Sequence, residues 1–221
     1  MARWERVVAP GLPHHITQRG NRRQQTFFGA EDYQSYLELI GEWCGVHQVE
    51  IWAYCLMPNP VPRIAVPQAA DGLRRAIGEV PRRDTRRVNF REGWRGHLWQ
   101  GRFASFVLDE PDLLTAARYV ELNLVRAGLI KSPSRDRWSG AAAHVRGRDD
   151  TLVRVAPPHA LAPNWRAFLA RVIREEDVKR LRAHEHTGRP LGDEAFLATL
   201  EQDLGRILRR QKPGPKGRLR S

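Results

Sequence analysis

The 221-residue sequence contains little cysteine, no long apolar segment and fewer acidic than basic residues. Its two cysteines, Cys44 and Cys55, are too few for a disulfide framework or a cysteine zinc site. No apolar run approaches the roughly 18 residues that a membrane-spanning helix needs, and the N-terminus lacks the apolar core of a signal peptide. We therefore expect a cytoplasmic protein with reduced cysteines.

Positive charge dominates the composition. The chain has 37 Lys and Arg residues against 25 Asp and Glu residues, giving a formal charge of +12 and a pI of about 10.8. This excess favours a polyanionic partner, and nucleic acid is the usual one for a basic protein. Arginine supplies most of the charge, and its planar fork suits phosphates and stacks on bases. Genomic base composition could explain the preference for arginine over lysine, but it leaves the net charge unexplained.

The periodicity of apolar residues predicts alternating strands and helices over the first 130 residues. Strands are expected at residues 14–18, 49–57, 61–66 and 104–108, and an amphipathic helix at 31–47. A second helix is expected at 71–90, where Pro81 should kink or split it. Proline at positions 60 and 62 is unusual for a strand, because proline lacks the N–H that the ladder uses.

Residues after about 130 differ in character. Residues 131–150 read as a loop, and prolines mark a linker that precedes helical patterns at 165–186 and 192–210. The chain closes with a basic segment rich in proline and glycine, which we expect to be disordered until it meets a polyanion. We place a domain boundary near residue 150, with one domain at 1–150 and a helical extension with a basic tail at 151–221.

Residues 109–128 have the features of a helix that presents a tyrosine. Asp109 can cap its first turn, and Gly128 can end it in the left-handed conformation. One face is apolar and should be buried, and it consists of Leu113, Ala117, Val120 and Leu124. A second face carries a polar stripe at i, i+4 and i+7 that consists of Tyr119, Asn123 and Arg126. Such a stripe could supply a nucleophile, a ligand and an anion contact. The alternative is that Tyr119 only packs, with its hydroxyl at the rim.

Two further stretches suit contact with nucleic acid. A turn after the first strand carries Arg19, Arg22 and Arg23, which can hold a phosphate backbone. Residues 94–103 alternate aromatic, glycine and basic residues, including Arg102, as single-strand binders do. The alternative for this second stretch is that its tryptophans belong to the core.

Four motifs together resemble the REP-associated tyrosine transposases, which are relatives of the single-tyrosine HUH transposases of insertion sequences. The motifs are HITQRGNR at 15–22, YCLMPN at 54–59, GHLWQGRF at 96–103 and RYVELNLVRAGL at 118–129. They occur in the family's order within roughly residues 5–140, and the basic C-terminal extension is also similar.

The resemblance implies an α+β, ferredoxin-like HUH domain with an antiparallel sheet and packed helices. It implies a tyrosine that attacks single-stranded DNA beside a hairpin and forms a 5′-phosphotyrosine, with a divalent metal, Mg²⁺ or Mn²⁺, as cofactor. Tyr119 matches the nucleophile and Asn123 a metal ligand. We expect Arg19, Arg22, Arg23, Arg102 and Arg126 to contact DNA, and a homodimer is a further expectation.

One departure from the family pattern affects the chemistry. Pro60 and Pro62 occupy the positions of the family's two metal-binding histidines, and proline has no side-chain donor atom. The resemblance therefore predicts a lost metal site and impaired cleavage, by about 10³-fold or more if the metal contributes several kcal/mol. A histidine elsewhere, His14, His15 or His97, is conceivable as a substitute ligand.

Three hypotheses follow from the sequence. The first is a transposase or nickase of single-stranded DNA, impaired in this chain, and the second is a binder of structured single-stranded DNA that does not cut. The third is an RNA-binding or ribosome-associated basic protein whose tyrosine is merely packed. Cleavage separates the first from the second, and a preference for RNA identifies the third.

Overall fold

A four-stranded antiparallel sheet forms the centre of the computed structural model, which describes residues 5–210. The strands are β1 (His14–Gln18), β2 (Val49–Tyr54), β3 (Val61–Pro67) and β4 (Ala104–Val107). Their order is β2-β3-β1-β4, so β1 and β3 are interior and β2 and β4 lie at the edges. This order, with helices between the strands, confirms the predicted α+β fold of the ferredoxin-like type.

Strand β2 is shorter than predicted, and Pro62 accounts for where it ends. The last regular pair joins Tyr54 to Arg63, and the next N–H, that of Cys55, donates to the carbonyl of Pro62 at 3.2 Å. Pro62 has no N–H to return a bond, so the ladder stops there. The prediction that β2 extends to residue 57 was therefore wrong, and the predicted strand at 61–66, with Pro62 inside it, was confirmed.

Helices α1 (Ala30–Val46), α2 (Gly72–Ala76) and α3 (Val80–Glu92) cover one face of the sheet. Helix α1 agrees with the predicted 31–47. The predicted helix at 71–90 is divided into α2 and α3, and Pro81 occupies the first turn of α3, where its missing N–H costs nothing. The predicted effect of Pro81 is confirmed.

Helix α4 (Glu110–Glu121) packs against the other face of the sheet, and the short α5 (Asn123–Arg126) follows it. The Asp109 carboxylate caps α4 by accepting the Asp112 N–H at 2.8 Å, and Gly128 has φ +71°, as predicted. The four residues predicted to be buried are buried: Leu113, Ala117, Val120 and Leu124. The prediction of one continuous helix was wrong, because the backbone leaves helical geometry at Leu122 (φ −89°, ψ 2°).

The remaining helices are α6 (Ala141–Arg146), α7 (Ala156–Leu161), α8 (Trp165–Ala170), α9 (Glu175–Thr187) and α10 (Glu194–Leu204), with short 3₁₀ helices at Asn21–Arg23 and Pro133–Arg135. Residues 131–150 are therefore not a simple loop, and the predicted helix at 165–186 is two helices. None of the described helices is long and apolar enough to cross a membrane. Most of the predicted basic tail, residues 211–221, lies outside the described residues.

Residues after 150 pack directly on the sheet. Val153 forms a bridge to Ile51 at one edge, and Leu191 forms a bridge to Leu108 beside the other. Helix α9 contacts β1, β4 and α4, so it lies on the same sheet face as α4. The boundary near residue 150 remains a prediction.

Candidate nucleic-acid interface and tyrosine site

The basic turn after β1 presents three arginines to solvent. Arg19 follows the strand, and Arg22 and Arg23 lie in the 3₁₀ turn with φ angles of 51° and 61°. The left-handed region is uncommon for residues with a side chain, and such strain concentrates at functional positions. All three side chains are exposed, and those of Arg22 and Arg23 form no ion pair with residues 5–210, so the charge of these two is available to a ligand.

Asn59 ties this turn to the Met-Pro-Asn motif. Its Oδ1 accepts the N–H of Gly20 at 3.2 Å, and its Nδ2 donates to the carbonyl of Gln24 at 2.7 Å. A β-carbon on Gly20 would lie 2.7 Å from Thr26 Cγ2 and 2.9 Å from Asn59 Nδ2. The close approach therefore requires glycine at position 20.

Backbone hydrogen bonds tie the same turn to the aromatic and basic stretch. The N–H of Gln100 donates to the carbonyl of Arg19 at 2.7 Å, and the N–H of Asn21 donates to the carbonyl of Leu98 at 2.8 Å. Trp99 is buried in the core, as the alternative interpretation predicts, whereas Trp94 is half-exposed and its contact with bases stays a prediction. Three motifs that are far apart in sequence thus form one surface, which we call the turn surface and define by Arg19, Arg22, Arg23 and Arg102.

A cavity of about 280 Å³ adjoins the turn surface, and three arginines, Arg6, Arg19 and Arg102, line it. Arg6 donates to the carbonyl of Phe103 at 2.8 Å and stacks on its ring at 3.6 Å. Burial, with the neighbouring charge of Arg102, lowers the pKa of Arg6 to about 10. Glu185 also lines the cavity and pairs with Arg19, so the groups there that can bind an anion such as a phosphate are the guanidinium groups of Arg6 and Arg102.

Acidic residues of α9 contact two of the predicted DNA-binding arginines. Glu185 accepts a hydrogen bond from Arg19 at 2.8 Å, and Glu175 lies 3.9 Å from Arg126. Arg126 also places its guanidinium carbon 5.2 Å from the centre of the Tyr119 ring. Arg126 thus lies at the tyrosine, apart from the turn surface.

Tyr119 lies in the last turn of α4 and faces the sheet. Its side chain is 9% exposed, and its ring centre lies 6.1 Å from that of His15 on β1. Asn123 begins α5 and is half-buried. The sequence predicted that Tyr119 and Asn123 lie at i and i+4 on one regular helix. Because the helix is interrupted at Leu122, Tyr119 belongs to α4 and Asn123 to α5.

Residues 9–123 match the family described as IS200-like transposases, and this range is more than half of the chain. The chain belongs to the IS200-like transposase family. A solved structure of the REP-associated tyrosine transposase bound to a REP hairpin is similar, with a TM-score of 0.54 and 22% identity over 70% of this chain and 92% of that one. This similarity confirms the fold.

A protein of Deinococcus radiodurans R1 that has been assigned as a transposase also matches, with a TM-score of 0.39 and 20% identity over 55% of this chain and 96% of that one. No curated protein matches this chain.

The residues near the family's metal position do not fit a metal. Pro62 lies opposite Thr17 in the β1–β3 pair, and His15 shares that face of the sheet. Neither the Thr17 hydroxyl nor the His15 ring nitrogens form a hydrogen bond with residues 5–210. With Asn123 they would offer one hydroxyl, one imidazole and one amide, and no cluster of three His, Cys, Asp or Glu residues occurs in the described part of the chain. Pro60 and Pro62 add no donor.

The other two histidines considered as substitutes have different surroundings. His14 is buried, its Nδ1 donates to the carbonyl of Leu12 at 2.8 Å, and its Nε2 accepts the N–H of Ala9 at 3.2 Å. His97 is exposed in the loop before β4. Burial lowers the pKa of His15 to about 4, with Glu185 opposing the effect, so His15 is neutral at physiological pH.

A buried network beside the tyrosine was not predicted. Glu121 forms a hydrogen bond to His144 Nδ1 and accepts the Trp165 indole N–H at 2.7 Å. His144 stacks on Trp165 with ring centres 4.4 Å apart. The network fixes the end of α4, two residues after Tyr119, to α6 and α8.

Proposed function

We propose that this protein binds hairpin-forming single-stranded DNA through the turn surface and lacks efficient metal-dependent cleavage. The observation that carries the proposal is the convergence of three separate motifs on one arginine-bearing surface. Family membership supports DNA as the polyanion, and the similar transposase was solved with a REP hairpin bound.

The chemistry of the turn surface suits a folded DNA strand. Arginine forks bind phosphate oxygens through two parallel hydrogen bonds, and exposed arginines on a rigid turn can follow a backbone that bends. The cavity lined by Arg6 and Arg102 adds a recess for a single phosphate beside the turn. Tyr119, which matches the family's nucleophile, would act only on a strand that extends from the turn surface to the tyrosine site.

The proposed loss of cleavage rests on the ligand set. The family's chemistry needs a cation to stabilise charge on the phosphate, a contribution worth several kcal/mol. Pro60 and Pro62 cannot supply ligands, and the donors that remain near them do not replace two histidines. We infer that this chain has kept DNA binding and has lost efficient DNA cleavage.

Binding can be tested with a fluorescently labelled DNA hairpin in an anisotropy titration. The Arg22→Gln/Arg23→Gln variant should bind at least tenfold more weakly, and its salt slope should fall by about 0.7 to 0.9 for each phosphate that the variant no longer neutralises. Arg146→Gln/Arg148→Gln is a control with the same loss of charge on exposed residues near α6. Equal affinity of both variants, or a preference for the RNA hairpin of the same sequence, contradicts the proposal.

A further inference from the structure

Helix α3 presents a second basic surface, on the sheet face opposite to Tyr119. Its exposed side carries Arg82, Arg83, Arg86, Arg87 and Phe90, which line a groove of about 470 Å³ and which we call the α3 arginine face. The apolar side of α3 packs with α1 in the core cluster on that face of the sheet. The α3 arginine face is therefore separate from the tyrosine site.

Ion pairs account for some of these arginines. Arg87 contacts the buried carboxylates of Asp32 and Asp84, so its role is structural. Arg82 pairs with Glu79 at i, i+3.

The charge that stays available belongs to Arg83 and Arg86. Arg83 stacks on Trp43 at 4.3 Å. Among residues 5–210, no carboxylate lies within ion-pair distance of either Arg83 or Arg86. Two guanidinium groups are thus left to bind an external anion.

Phe90 makes the face more than a solvated charged surface. Its side chain is 92% exposed, and it lies at i+4 from Arg86 and i+7 from Arg83, on the same side of the helix. Leaving a phenyl ring in water forgoes the free energy that its burial would contribute. Arginines that flank an exposed aromatic ring match the pattern by which proteins hold unpaired bases, with phosphates on the cations and a base on the ring.

The α3 arginine face is connected to the turn surface. The Asn89 side chain donates to the carbonyl of Gly96 at 2.9 Å, which fixes the end of α3 to the stretch that pairs with the basic turn. Trp94 and Phe28 are also exposed there and pack edge to face, with ring centres 5.3 Å apart. A strand leaving the turn surface would therefore meet aromatic side chains first and the arginines of α3 next.

We propose that the α3 arginine face binds the single strand that flanks the hairpin. The inference rests on the proposed function for the location of the hairpin, and it adds a second binding surface on the other face of the sheet. A single strand is favoured over a duplex because only unpaired bases have a free face for Phe90. Positions 83 to 90 span about 10 Å of helix at 1.5 Å per residue, which suits a contact with a few nucleotides.

The test uses two labelled DNAs, the bare hairpin and the same hairpin with a single-stranded flank, in titrations at 50 and 200 mM salt. The variants are Arg83→Gln/Arg86→Gln and Phe90→Ala, with Arg146→Gln/Arg148→Gln as the charge-matched control. Removing two arginines that neutralise phosphates of a single strand reduces the salt slope by about 1.4. The ratio of wild-type affinity to double-variant affinity should therefore be about sevenfold larger at 50 mM salt than at 200 mM salt. Phe90→Ala should weaken binding of the flanked DNA about tenfold.

Each outcome has one interpretation. The proposal requires weaker binding of the flanked DNA and wild-type affinity for the bare hairpin. It also requires a double variant that stays folded, which is expected because the change removes like charges from one helix and costs only the contact of Arg83 with Trp43. Unchanged binding of the flanked DNA, equal weakening on both DNAs, or a larger effect with an RNA flank overturns it. If the proposed function fails, Arg22→Gln/Arg23→Gln will not change binding of the bare hairpin. Binding of the isolated single-stranded flank to the α3 variants then still tests the α3 arginine face.

Discussion

Replacing Arg63 with leucine should stabilise the fold, once its one polar partner is removed as well. Arg63 lies in the interior strand β3, is 1% exposed, and faces the core beneath α1. Its Nη2 donates to the Tyr36 hydroxyl at 2.8 Å, while Nε and Nη1 form no hydrogen bond within residues 5–210. No carboxylate in that part of the chain lies within ion-pair distance of it.

The magnitude follows from opposing contributions. Burial of a cation costs several kcal/mol, and one hydrogen bond to a charged group returns about 1.5–3 kcal/mol. Leucine would remove the charge and bury apolar surface in its place. We therefore expect the free energy of unfolding of the Arg63→Leu/Tyr36→Phe variant to exceed that of the wild type by about 2 kcal/mol. For a protein of this size that corresponds to a rise in Tm of about 4–8 °C.

A double-mutant cycle measures the effect by urea unfolding. Tyr36→Phe alone should destabilise, because it removes the only acceptor that the Arg63 side chain has among residues 5–210. Arg63→Leu alone should gain less than the pair, because it leaves the Tyr36 hydroxyl unpaired. If Arg63→Leu lowers the free energy of unfolding in the Tyr36→Phe background as well, the buried guanidinium is better satisfied than its contacts show, and the reasoning is refuted.

Three further predictions concern stability and the turn. Glu121→Ala should cost about 3 kcal/mol in urea unfolding, because it leaves the buried Trp165 indole N–H without its acceptor and His144 without its partner, whereas an effect below 1 kcal/mol would contradict this. Burial lowers the pKa of His14 to about 4, against about 6.5 in the unfolded chain. The stability that neutral His14 contributes is therefore complete above pH 6.5 and is lost as the pH falls towards 4. His14→Gln should make this profile of unfolding free energy less steep, and the part that remains belongs to His15, whose pKa burial also lowers to about 4. Gly20→Ala should weaken both DNA binding and stability, because its β-carbon would collide with the backbone carbonyl of Gln24 and with the side chains of Thr26 and Asn59; wild-type values would contradict that.

Elements with a strong local pattern could be predicted from the sequence. Strand β1 and helix α1 agree with the prediction because their apolar spacing and flanking turns are local signals. The cap at Asp109 and the left-handed Gly128 are local in the same sense. The irregularity at Leu122 has no local sign, since leucine suits a helix interior.

Parts of the candidate site depend on contacts that periodicity does not report. Glu185 reaches Arg19 across 166 residues, and Arg6 joins the cavity from a segment outside every motif. The Glu121 network could have been suspected from a glutamate on a predicted buried helix face, but its partners His144 and Trp165 come from later helices. Such residues become visible only when the chain is folded.

The roles of Tyr119, Asn123 and the arginines of the turn surface remain predictions, as do the homodimer and the cytoplasmic location. Family membership makes the role of Tyr119 the central question, because the fold keeps the tyrosine while Pro60 and Pro62 stand where the resemblance predicts metal ligands.

The measurement that tests the account most directly is formation of a covalent protein–DNA adduct on hairpin DNA with Mg²⁺ or Mn²⁺. It compares the natural chain, the Pro60→His/Pro62→His variant, and that variant with Tyr119→Phe added. We expect the natural chain to bind without forming an adduct, the double variant to form one, and the triple variant to form none. An adduct with the natural chain at a rate similar to that of the double variant would contradict the account.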